Sequence, residues 1–189
     1  MMLNVVDIHG ALEMSNNMIK YVIGDATEPQ GEGLKVIAHI CNDAGYWGKG
    51  FVNSISDKWE KPEKLYREWF AGELPNAIPF ALGKVLLTYI EDNSRISVAS
   101  MIAQHGIISQ YATSSRAVNY GALADCLCIL AKTINDANSI SIRSLDQYSV
   151  HMPRIGAGLG GGDWNIIEEL IDFLLVQEGI DVTVYDLED

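Results

Sequence analysis

The chain has 189 residues, 48% of them hydrophobic, with 25 acidic against 13 basic side chains and a formal charge of −12. That length supports one folded domain with a buried core, and no window approaches the roughly 18 consecutive apolar residues of a membrane span. The opening stretch MMLNVVDIHGALEMSNN lacks the basic-then-apolar plan of a secretory leader, so a cytoplasmic location without membrane association is expected. Nine acids and no Lys or Arg fall in residues 163–189, and no basic run with interleaved aromatics occurs outside the mixed stretch Lys58 to Arg67. DNA binding is therefore not expected, because a duplex requires a basic stripe. A small anion is still accommodated, since N–H groups at helix N-termini hold phosphates without a cationic side chain. Cys41, Cys126 and Cys128 cannot all pair, which argues against a disulfide framework.

In chain order, residues 1–17 read as an N-terminal arm and residues 18–189 as a single domain. The alternating MIKYVIGD, Met18 to Asp25, predicts a strand, and the continuous apolar run VIAHIC, Val36 to Cys41, a strand buried on both faces. A glycine-punctuated loop, GYWGKG, leads into an amphipathic stretch from Phe51 to Phe70 that Pro62 should interrupt, as two helices or as one broken helix. Lys84 to Ile90 and Ile96 to Ala103 predict a hairpin around EDNSR. Ser115 to about Ala137 reads as a largely buried helix, with Ser114 or Ser115 as its cap and Cys126 and Cys128 in the core. The apolar SVHMPRI predicts a further strand, followed by the loop GAGLGGGDW. A helix from Trp164 to about Gln177, stopped by Gly179, and a last strand DVTVYDL complete the pattern. Strands alternating with helices, plus one hairpin, imply a three-layer α/β/α sandwich with a central mixed sheet.

The loop after SVHMPRI packs five glycines into seven residues between a strand and a helix N-terminus, where free N–H groups converge on an anion. A plain strand-to-helix turn is the other reading. Gly156, Gly158 and Gly161 also satisfy G-x-G-x-x-G, with Asp181 about twenty residues on, so an NAD-dependent oxidoreductase stands as a remote alternative. It is disfavoured because that fingerprint opens a series of strands and helices, whereas here only one more of each follows.

The ordered set GDAT (Gly24 to Thr27), IAHICNDAGYWGKGF (Ile37 to Phe51), MIAQHG (Met101 to Gly106), HMPRIGAGLGGGDW (His151 to Trp164) and TVYDL (Thr183 to Leu187) resembles a macrodomain. The likeness is greatest to the branch containing a chromatin-remodeller macrodomain, a terminal ADP-ribose glycohydrolase and a yeast ADP-ribose phosphatase. The resemblance implies a cleft for ADP-ribose, with an ADP-ribosylated protein as the other possible partner. Asp25 would accept from the adenine amino group, beside the N–H of Ala26, since a carboxylate accepts hydrogen bonds only. Asn42, Gly48, Gly50 and Phe51 would form one wall and Ile155, Gly156, Ala157, Gly158, Leu159, Gly160 and Gly161 the other, with Tyr185 at the adenine rim. Bland roles stand beside these: a turn for Asp25 and Asn42, and strand alternation for Tyr185.

The same resemblance leaves reader and hydrolase open, because fold alone does not decide chemistry. The glycohydrolase's lysine and aspartate positions fall at Gln104 and Gly160, which argues for a non-catalytic reader. Hydrolysis of O-acyl-ADP-ribose or ADP-ribose 1''-phosphate would then need a water held by the diphosphate and Asn42, with Asp43 or Asp163 taking its proton. Asp163 serves equally as a helix cap. His39, His105 and His151 lack ligand-like spacing, so neither metal nor cofactor is expected.

Overall fold

The computed structural model describes residues 18–92, 95–108, 116–141 and 146–187; the proposed arm, Ser114 and Ser115 lie outside them. Six strands form one sheet: β1 (Lys20–Ile23), β2 (Leu34–Asn42), β3 (Val85–Tyr89), β4 (Ile96–Gln104), β5 (Tyr148–Pro153) and β6 (Val182–Asp186), in the spatial order β1-β6-β5-β2-β4-β3. All neighbours pair in parallel except β3 with β4. The hairpin thus supplies the antiparallel edge, and the carboxyl ends of the other five strands lie along one edge of the sheet.

β2 shows why the molecule has three layers. Its alternate residues Val36 and Ala38 join one core with Leu123, Leu127 and Leu130 of helix α3 (Tyr120–Ile140) and with Ile167 and Ile171 of helix α4 (Trp164–Ile171). Ile37 and Cys41 join a second core with Ile55 of helix α1 (Phe51–Lys58) and with Tyr66 and Trp69 of helix α2 (Glu60–Ala71). A strand covered on both faces has no reason to alternate, which accounts for the unbroken apolar run.

Three local expectations change. The amphipathic stretch is two helices, but the break falls at Trp59, whose backbone is extended (φ −142°, ψ 116°), three residues before Pro62. Pro62 stands in the first turn of α2, where a missing N–H costs no hydrogen bond. α3 starts at Tyr120 rather than Ser115, and its cap is Asn119, whose side chain accepts from Ala122 N at 3.0 Å. The residues before it are held in extended backbone pairing: His105 N donates to Ala117 O (2.8 Å) and Asn119 N to Ala103 O (2.9 Å). Cys126 is buried as expected, whereas Cys128 is exposed, because two residues turn a helix by about 200°. α4 runs on as a wider π-helical turn, Asp172–Val176. No helix among the described residues is long and apolar enough to cross a membrane.

Candidate functional site: two glycine loops at the carboxyl edge

The loops leaving β2 and β5 face each other where neighbouring strands end, the place at which open α/β sheets bind ligands. Between them lies a cavity of about 280 Å³. Of the residues singled out from sequence, Gly50, Phe51, Ile155, Gly156, Gly158, Leu159 and Gly160 line it, together with His39, Ile40, Lys49, Val52, Gln104, Pro153 and Arg154. No carboxylate lines it among the described residues, although the chain as a whole carries −12. A larger cavity of about 570 Å³ lies at the other edge, where β1, β5 and β6 begin, and both glycine loops are absent from its lining.

Each loop has its own reason for glycine. In the β5 loop a Cβ on Gly160 would stand 2.7 Å from Val118 Cγ2 and 2.8 Å from Gly156 O, and one on Gly156 would meet Ile40 Cδ1 and Val118 Cγ2 at 3.0 Å. Only bare backbone fits there. Gly160 O accepts from both Ala117 N (3.0 Å) and Val118 N (3.2 Å), which ties the loop to the start of α3. The N–H groups of Gly158, Leu159 and Gly160 donate to no backbone acceptor among the described residues. Across the cavity, Gly50 (φ 77°) precedes α1 without a side-chain cap; Asn53 N donates to Gly50 O (3.0 Å), and the N–H groups of Phe51 and Val52 are left without a backbone acceptor among the described residues. Donors on both walls with no acid between them make a receptor for an anion.

The expected adenine end lies at Gly24 to Thr27, the start of the loop after β1. Asp25 Oδ1 accepts from Thr27 N at 2.8 Å, the turn role weighed for it, and Ala26 is buried. Gly24 N donates to Asp186 O (2.8 Å), and Gln30 N donates to the Tyr185 hydroxyl (2.8 Å). That hydroxyl is also 3.0 Å from His151 Nδ1, and Tyr185 is only 3% exposed. Tyr185 therefore anchors this loop through its hydroxyl, while its ring packs beside Gly24, where an added Cβ would stand 3.7 Å from Tyr185 Cδ1.

Asn42, Asp43 and Asp163 all lie outside the cavity lining, and each is engaged elsewhere. Asn42 Oδ1 accepts from Ala44 N (3.1 Å) and Tyr46 N (3.0 Å), while its Nδ2 donates to Tyr46 O (2.6 Å), so the side chain shapes the turn after β2. Asp43 Oδ1 accepts from Gly106 N and Oδ2 meets His105 Nδ1, both at 2.7 Å. Burial pushes the Asp43 carboxyl up, but these hydrogen bonds outweigh it and hold the group below the usual carboxylate range. Asp163 Oδ1 accepts from Asn165 N at 2.9 Å and caps α4. Gly48, Ala157 and Gly161 also stand outside the lining.

Four contributors come from side chains to which no ligand role was given. His39, 3.0 Å from Ser100 Oγ, has its pKa pushed down to about 3 by burial and forms a neutral wall. Gln104, where the related glycohydrolase would carry lysine, lines the cavity and donates to Gly106 O at 3.2 Å. Arg154 is committed to Asp186 through bonds of 2.6 and 2.8 Å and lies over Trp164 and Tyr21. Lys49 has no acidic partner among the described residues. Its signal was a lysine between two glycines, which can hold its stem over a cleft. Among the described residues no group of three or more His, Cys, Asp or Glu side chains is placed to hold a metal.

A three-layer α/β/α sandwich with a cleft between two glycine-rich loops at the carboxyl edge of the sheet defines the class. No protein-family model matches the chain. A solved macrodomain protein from Streptomyces coelicolor is 42% identical, with 89% of this chain and 98% of that one covered at a TM-score of 0.71. The chain belongs to the macrodomain family. It is also 31% identical to mouse chromodomain-helicase-DNA-binding protein 1-like over 92% of its own length, but it spans only 18% of that protein. The ADP-ribose 1''-phosphate phosphatase of Saccharomyces cerevisiae is 27% identical, with 84% of this chain and 93% of that one covered.

Proposed function

We propose that the chain binds ADP-ribose or an ADP-ribosyl derivative, free or carried on a protein, along the carboxyl edge of the sheet. The adenine would sit at Asp25 and Ala26 and the diphosphate between the loops Gly48–Phe51 and Ile155–Gly161. The observation that carries this reading is a cavity lined by two cations, free backbone donors and no acid, within a strongly acidic chain. Asp25 keeps Oδ2 for an exocyclic amine while Oδ1 holds the turn.

Hydrolysis is the second reading, favoured by the name of the yeast relative. A general base must come within hydrogen-bond reach of the attacking water. Asp43 and Asp163 are instead held by His105, Gly106 and Asn165. Any turnover would therefore be slow and limited to reactive derivatives such as O-acyl-ADP-ribose or ADP-ribose 1''-phosphate. Calorimetric titration with ADP-ribose tests binding, and a parallel assay of both derivatives with wild type, Asp43→Asn and Asp163→Asn tests chemistry. Saturable one-site binding with little turnover supports the reading. Absence of binding removes it, and rapid turnover abolished by either substitution favours the hydrolase.

A further inference from the structure

At the amino edge of the sheet the apolar pattern of the strands breaks on one face only. Val150, Met152, Val182 and Val184 belong to the core, whereas their neighbours Ser149, His151 and Thr183 line the larger cavity of about 570 Å³. Lys20, Thr183 and His151 are direct cross-strand partners in β1, β6 and β5, so they form one polar row beneath that cavity. Its volume is ordinary for a small-molecule pocket. His151, 3% exposed, belongs to a hydrogen-bonded chain whose direction follows from its protons. Gln30 N donates to the Tyr185 hydroxyl (2.8 Å), so the phenol proton goes to His151 Nδ1 (3.0 Å), and Nε2–H donates to Ser149 Oγ (2.9 Å). The opposite tautomer would leave the buried phenol O–H without an acceptor. Ser149 therefore keeps its own hydroxyl proton for a group in the cavity.

Two cations meet the same place without counter-ions. Lys35 is 8% exposed and its ammonium donates to Gly33 O at 3.3 Å, while Lys20 is exposed; neither has an acidic partner among the described residues. Burial and the charge of Arg95 lower the Lys35 pKa, which is what an uncompensated buried ammonium experiences. In the loop that brings Gly33 to the cavity, φ is positive at Gly31 (95°) and Gly33 (88°) but not at Glu32. That alternation turns successive N–H groups to one side, as in an anion-binding nest, and none of the three donates to a backbone acceptor among the described residues. Glu32 and Asp181 also line the cavity, so it offers carboxylate acceptors beside these donors.

We propose that this cavity is a second ligand site, separate from the cleft at the carboxyl edge, for a small hydroxyl-rich oxyanion such as a sugar acid or a sugar phosphate. Its oxyanion is held by Lys20, the Ser149 hydroxyl and the N–H groups of Gly31 to Gly33, in the field of Lys35. Charge-assisted hydrogen bonds of this kind are the strong ones. The hydroxyl groups of the ligand donate to Glu32 and Asp181, which a bare anion would leave unused.

The test is an NMR titration of the full chain with ribose 5-phosphate, with gluconate and, as the neutral control, with ribose. Saturable shifts of the Gly31, Glu32, Gly33 and Ser149 amides are expected with at least one of the two anions and not with ribose. A response to ribose 5-phosphate alone assigns a phosphate monoester, a response to gluconate alone a carboxylate, and a response to both a site that reads the oxyanion itself. Lys20→Ala and Ser149→Ala are each expected to weaken the anion about tenfold, the lower end of what a hydrogen bond to a charged group supplies. Lys20 is exposed, so its substitution tests the site without disturbing the core. Absence of these shifts with both anions overturns the proposal, as do ribose binding as tightly as the anions, unchanged affinity in Lys20→Ala, and shifts confined to Gly158 to Gly160.

Discussion

The two loops that face each other across the cleft are both rich in glycine, yet they use it for opposite ends. In the loop after β5, Gly156, Gly160 and Gly162 lie so close to Val118, Ile167 and the loop's own backbone that an added Cβ would fall within 2.7 to 3.0 Å of them. In the loop after β2, a Cβ on Gly45 at the base would meet the Phe70 ring at 2.5 Å, but one on Gly48 at the tip would meet nothing within 4 Å, and there Gly48 and Gly50 are required by positive φ. One loop is a packed part of the core that exposes N–H groups. The other is an open strap that presents a lysine. Glycine density marks both, but only surroundings distinguish packing from conformational freedom.

The largest effect is expected at Gly160. Gly160→Val should overpack the site against Val118 and Gly156, costing about 1–3 kcal/mol and several degrees of Tm, and should abolish ligand binding as well. Thermal melts that match wild type would show that the loop is not packed as described. Gly158→Val should separate the two properties, because its Cβ meets nothing within 4 Å and its φ is not in the left-handed region. Its Tm should stay near wild type while ADP-ribose binding is lost. Gly161→Val, at φ 67°, should in addition lose about 1–2 kcal/mol of stability. A stable Gly158→Val that still binds would remove the β5 loop from the site.

Asp25→Ala should weaken ADP-ribose by about 1.5–3 kcal/mol, the range for a hydrogen bond to a charged group. Calorimetry reads this directly, and an inosine-containing ligand should bind wild type no better than ADP-ribose binds the variant. Equal affinity in a folded variant would separate Asp25 from the adenine.

A smaller effect comes from pH. Burial pushes His39 down to about 3 and His151 to about 4, with Lys35 and Lys20 adding to the shift at His151. In the unfolded chain both titrate near about 6.5. Between these values the unfolded state binds more protons, so stability is full above roughly pH 6.5 and is lost as pH falls towards 4. Asp43, held below its ordinary value, adds a loss only at lower pH, as the carboxyl protonates in the folded state. Melts from pH 7 to 4.5 should show a falling Tm, less steep in His151→Gln. A flat profile would contradict the burial of these rings.

Much of the fold was legible because it rests on local period and punctuation. The unbroken run at β2, the alternation of β6, the hairpin and the β5–loop–α4 unit all follow from residues near one another in sequence. Asn119 as a cap and the exit of Cys128 from the core were not legible, because the first depends on extended pairing of residues 117–119 and the second on helix phase. At the site, the glycine loops announced themselves, whereas His39 and Gln104 reach the cavity only through the β5-β2-β4 order. Asp43 and Asp163 read as candidate bases because sequence shows a carboxylate but not its partner. His105 and Asn165 are those partners.

The most direct test of the central claim follows backbone amide resonances of the intact chain by NMR during titration with ADP-ribose. The account predicts that the largest and saturable shifts fall on Phe51, Val52 and Gly158 to Gly160, with a second set at Asp25 and Ala26. Gly31 to Gly33 and Ser149, in the larger cavity, should stay in place. Largest shifts in that second group, with the glycine-loop amides unmoved, would contradict the assignment of the ligand site.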